Sequence, residues 1–117
     1  MPHVICAGRV DLEAAWRGLG TGPWRWGTAV ARVEGCYLGA DARTLLVAAV
    51  VVEYGRPLHP VVVVTHRGEE TAVHLWPVVA VERTEAVKRL VAHVAKELEA
   101  FGAGAVTTTN LAAYLPG

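Results

Sequence analysis

The sequence contains no serine and no glutamine, a single asparagine (Asn110), and two lysines against nine arginines. Without serine there is no Ser-based nucleophile, which excludes Ser-His-Asp hydrolases and Ser-Lys enzymes. Scarcity of thermolabile amides is a trend of hyperthermophile proteins. The composition therefore predicts a thermophilic source, a bias that GC-rich coding would also produce. Two cysteines, Cys6 and Cys36, are too few for a disulfide scaffold or a four-thiolate zinc site. They read as small buried hydrophobes, with an intracellular disulfide between them as the alternative. Every apolar run is broken before the roughly 18 residues that a bilayer span needs, so no membrane partner is expected. Residues 1 to 7 lack the basic start and long apolar stretch of a secretory signal, and the expected location is cytoplasmic. Eleven basic residues balance eleven acidic ones. Neutralising phosphates dominates nucleic-acid affinity, so this balance disfavours nucleic acid as a partner.

What is abundant is apolar: 53% of the 117 residues. A chain of this length fits one domain, residues 1–117, that buries roughly two-thirds of its unfolded surface. Residues 3 to 7 read as a short strand. Asp11 then caps a helix through Leu19, whose Leu12, Ala15, Trp16 and Leu19 share one face. Residues 20 to 27, with three glycines and a proline, read as a loop. Four strands follow, at 28 to 38, 44 to 54, 61 to 65 and 71 to 76, separated by turns at 39 to 41, 55 to 57 and 67 to 70. The clearest element is a helix from 85 to 101, capped by Thr84, with Val87, Leu90, Val91, Val94, Leu98 and Phe101 in one stripe. Residues 105 to 109 form a last strand, and Asn110 caps a final turn that Pro116 ends. The fold class is α+β: an antiparallel four- to five-stranded meander packed against an N-terminal helix and a long C-terminal helix.

Residues 45 to 52 and 61 to 64 are apolar without alternation, although an antiparallel sheet with one wet face should alternate. Two helices cover one face of such a sheet, and no third remains for the other. Either the sheet curls on itself or a second copy covers it, and the reading favours a homodimer.

No constellation of chemical groups is obvious. Trp24-Arg25-Trp26 is the least ordinary stretch, because Trp and Arg concentrate in binding hot spots; the simpler alternative is that the indoles fold back over the sheet. His66 and His74 flank the third turn. A three-residue loop would put them on one face, while a two- or four-residue loop would put them on opposite faces. Their spacing matches no metal motif, so no metal and no cofactor is expected. Glu53 ends a long apolar run, where burial would make it a candidate proton carrier; a strand end emerging into water is the simpler reading. Gly18-Leu19-Gly20-Thr21-Gly22 follows a helix and runs into Pro23, the wrong context for a phosphate-binding loop. Two readings result. The first is a non-enzymatic homodimeric interaction or assembly module, with a further protein partner possible. The alternative is a small enzyme or ligand-binding protein with a cleft lined by Glu53, His59, His66, His74 and the Trp24–Trp26 loop.

Overall fold

The chain opens on β1 (His3–Cys6), a short strand, and α1 (Leu12–Gly18), a two-turn helix in a computed structural model that describes residues 1–115. Pro116, which the sequence reading places after the final turn, lies outside the described residues. The Asp11 carboxylate caps α1 by accepting from the Ala14 N–H at 3.1 Å, which satisfies one of the helix's orphan donors. Leu12 and Ala15 are its buried face.

Six strands follow: β2 (Trp24–Trp26), β3 (Ala29–Leu38), β4 (Thr44–Glu53), β5 (Arg56–Leu58), β6 (Val61–Arg67) and β7 (Glu70–Leu75). The helix α2 (Glu85–Glu97) comes next, then a 3-10 turn (Leu98–Phe101) and β8 (Val106–Thr109). Together they make a mixed fold with a curled antiparallel sheet in the order β2-β3-β4-β6-β7-β1-β8, β5 pairing with β4. The four central strands match the sequence reading, but the sheet holds eight rather than four or five. Two of these, β2 and β5, fall where the sequence reads a loop and a turn. The order also departs from a meander, because the N-terminal β1 inserts between β7 and β8.

The long hairpin explains β5. Val51 faces Leu58 and Ala48 faces Val61 with no shift of register between them, so β5 and β6 are one return strand along β4. It is interrupted at His59-Pro60, because Pro60 has no N–H to give the ladder. The Ala49 N–H still donates to the Pro60 carbonyl at 3.0 Å. At the tip, Tyr54 and Gly55 both take positive φ (51° and 73°). That is the I′ geometry whose twist matches the flanking strands.

Along β4, Leu45, Val47, Ala49 and Val51 are buried, while Leu46, Ala48, Val50 and Val52 are not. The run that lacks alternation in sequence thus alternates in exposure, since every outward position is also apolar. The inner set packs with Ala31, Val33, Val62, Val64, Val73 and Leu75 under the helices. α1 lies on β3 and β4, and α2 on β1, β7, β3 and β4. The Thr84 hydroxyl caps α2 by accepting from the Val87 N–H at 3.2 Å. The α-helix is shorter than expected: its last turn tightens to 3-10 and ends at Gly102, whose φ of +97° suits glycine.

A polar knot ties the segment between β1 and α1 to the sheet. Thr71, the one fully buried polar residue among those described, accepts from the Val10 N–H at 3.0 Å and donates to the Gly8 carbonyl at 2.8 Å. Across the β6–β7 pair, His66 Nε2 donates to the Val10 carbonyl at 2.7 Å. Gly8 itself admits no side chain, because a Cβ there would lie 2.2 Å from the Gly102 carbonyl oxygen.

Candidate functional site: the open face of the sheet

The helices occupy one side of the sheet, and the other side is built by every second residue of each strand. From β3 to β6 that side is mostly apolar, with Arg32 opposite Val50 and Thr44 opposite Thr65 as its polar members. Val30 faces Val52, Tyr37 faces Leu46, Leu46 faces Val63, and Ala48 faces Val61. Tyr37 is 59% exposed and Val52 36%, while Val63 is covered by its neighbours to 4%. Glu34 is the extra residue of a bulge, since Val33 pairs with Ala49 and Gly35 with Ala48. Its carboxylate turns to His59 Nδ1 at 3.6 Å, both groups being well exposed. Arg25, beside Val30, edges the apolar patch on the β2 side, and Arg32 stands within the β3 row opposite Val50.

Toward β7, β1 and β8 the same face becomes polar and recedes into an open basin of about 450 Å³. His3 and His74 are cross-strand neighbours. With Thr65, Arg67, Glu70 and Thr108 they line this basin over a floor that includes Ile5 and Ala72. His3 Nδ1 lies 3.0 Å from the Met1 carbonyl, and His74 Nδ1 lies 2.9 Å from the Leu75 carbonyl. A carbonyl only accepts, so Nδ1 carries the proton of each neutral ring and Nε2 is left as an acceptor. Glu70 is held at its Oε2 by the Thr107 hydroxyl at 3.2 Å.

The residues singled out from the sequence do not converge. Gly68 and Glu69 form a two-residue loop between the paired Arg67 and Glu70, with Gly68 at φ +60°. That type II′ turn sends His66 to the helix side, where its Nδ1 is buried without a partner, and His74 to the open side. Glu53, half-buried, accepts from the Thr84 hydroxyl beside the start of α2 and lines a separate recess of about 240 Å³. His59 stands with Glu34. Trp24-Arg25-Trp26 is an edge strand rather than a loop: Trp24 pairs with Ala31 and Trp26 with Ala29. The indoles turn onto α2, parallel to within 5° at 6.3 Å, with the His93 ring 4.2 Å from Trp24 and 5.7 Å from Trp26. His93 Nε2 meets Glu97 Oε1 at 3.3 Å. Both indoles are half-buried against the core, and only Arg25 reaches outward.

Cys6 and Cys36 are free thiols, so the disulfide alternative does not form. Burial pushes both above the ordinary thiol range, and at Cys6 the charge of Glu99 adds to the effect. Among the described residues no three His, Cys, Asp or Glu side chains cluster as metal ligands would. None of the described helices is long and apolar enough to cross a membrane.

The basin was not visible in the sequence. His3 and Thr108 reach it only through the insertion of β1 between β7 and β8, a pairing of distant segments that no local pattern announces. Thr65 and Arg67 carried one usable signal, since they alternate with His66 on a strand. No protein-family model, no curated protein and no solved structure matches this chain.

Proposed function

We propose that this chain is a non-enzymatic assembly module that forms a homodimer through the apolar half of its open sheet face. The observation carrying the proposal is that Leu46, Ala48, Val50 and Val52 project from β4 on the side no helix covers. Val30, Tyr37, Val61 and Val63 surround them, with the Arg32 side chain opposite Val50 as the one charged neighbour on β3 at that level. A contiguous apolar patch of this kind marks an interface more often than a free surface, and a second copy offers the same patch around a two-fold axis. The sheet's edges are poor competitors, because short, bulged or covered strands resist edge-to-edge pairing. β2 has three residues and follows Pro23. β8 has four, with a bulge in its pairing to β1. The free edge of β3 is met by Trp16, whose indole N–H donates to the Cys36 carbonyl at 3.1 Å.

The non-enzymatic reading rests on the separation of the groups singled out from the sequence, which share no cleft: Glu53 lines one recess, His74 another, and His66 lies on the opposite side of the sheet. The Thr84 hydroxyl is taken up in capping α2, and the Glu53 carboxylate accepts from it. His66 Nε2 donates to the Val10 carbonyl on the helix side, away from the open face. Sedimentation equilibrium at micromolar concentration is expected to give twice the 12.5 kDa chain mass. Leu46→Asp and, at the more exposed position, Tyr37→Asp should each shift the protein to monomer with an unchanged circular dichroism spectrum. A wild-type monomer under those conditions would overturn the proposal.

A further inference from the structure

We infer that the polar basin between β6, β7, β1 and β8 binds a small molecule that carries an oxyanion next to hydroxyl groups. The inference goes beyond the assembly reading and concerns the other half of the same face. Three features support it. First, the exposed Arg67 guanidinium makes no ion pair or hydrogen bond with the described residues, although Glu70 stands directly across the hairpin. Glu70 is instead engaged by Thr107. A guanidinium left open in a recess presents the fork geometry that suits phosphate or carboxylate oxygens.

Second, both imidazoles are oriented by backbone carbonyls, so each offers an Nε2 acceptor that no described residue occupies. Such acceptors match a ligand's hydroxyl donors rather than its anionic oxygens. The Thr65 and Thr108 hydroxyls, which donate or accept, complete a lining able to serve both parts. Third, the walls come from four paired strands rather than from loops, and a site on rigid elements holds its geometry. At about 450 Å³ the recess is within the range of small-molecule sites.

The test compares three probes by NMR amide-shift titration of the uniformly labelled protein at constant ionic strength: inorganic phosphate, glycerol and glycerol 3-phosphate. Saturable shifts at Thr65, Arg67, His74 and Thr108 are expected for both phosphates, with glycerol 3-phosphate binding several-fold more tightly than inorganic phosphate. Arg67→Ala should weaken both by roughly tenfold or more, the loss of a charge-assisted bond. His74→Phe should abolish only the advantage of the glycerol moiety. A second recess, lined by Arg83, Lys88, Asn110 and Tyr114, supplies the control: phosphate binding that survives Arg67→Ala but is lost in Arg83→Ala overturns the inference. So does equal affinity for the two phosphates, or the absence of saturable shifts. Leu46→Asp, which tests assembly, leaves every lining residue in place, so the two readings fail separately.

Discussion

Replacing Thr71 by Val keeps the shape of a buried side chain and removes one oxygen, which isolates the polar knot from packing. In the native fold that oxygen satisfies two backbone groups at once, the Val10 N–H and the Gly8 carbonyl. Both lie in the connector that carries the chain from β1 into α1. No water can replace the hydroxyl, since Thr71 is completely inaccessible. Leaving the Val10 N–H unpaired costs about 1–3 kcal/mol, and the lost donation to Gly8 adds roughly 1 kcal/mol. The expected destabilisation is therefore roughly 2–4 kcal/mol, or a fall of roughly 8–16 °C in Tm for a chain of this length. Thr71→Ser keeps both bonds and gives up one methyl, about 0.8 kcal/mol. Urea denaturation of both variants measures the difference, and hydrogen exchange locates it: protection of the Val10 amide should collapse in Thr71→Val alone. Equal stabilities for Val and Ser at this position would refute the reasoning, because the knot would then contribute nothing beyond its volume.

Two further outcomes follow from the same geometry. Trp24→Ala should cost roughly 3 kcal/mol in urea denaturation, at the lower end of the range for large core truncations because the indole is only half-buried. Arg25→Ala, on the outward side of the same three-residue strand, should stay within about 0.5 kcal/mol. Unchanged stability in Trp24→Ala would mean that the indoles do not hold β2 to α2. The cysteines set an alkaline limit. Both folded thiols are pushed above the ordinary value of 9.0, so as pH rises through that value the unfolded chain releases protons that the folded chain retains. Stability therefore falls as pH rises above about 9. The difference in urea midpoint between wild type and Cys6→Ala should widen in favour of the variant from pH 8 to pH 10. A constant difference would contradict the linkage.

The parts of this fold legible in the sequence are those whose information is local. Asp11 and Thr84 announce helix starts because capping is a contact over three residues. Turns near Gly55 and Gly68 are legible because two-residue loops need glycine's backbone freedom, although the first is Tyr54-Gly55 rather than the 55 to 57 read from the sequence. What stayed hidden was set by pairings between distant segments or by residues that mask a strand. Pro57 and Pro60 make β5 read as a turn, yet β4 holds its register across them. Trp24-Arg25-Trp26 is too short for a periodicity of two to be recognised, and its strand character comes from Val30 and its neighbours on β3. The same limit separates the two halves of the candidate surface. Its apolar half could be anticipated, because an unalternating strand such as residues 45 to 52 must hide both faces. Its polar half could not, because His3 meets His74 only once β1 has been inserted beside β7. Composition within a strand therefore indicated that an uncovered face would exist, and topology alone decided which polar residues would share it.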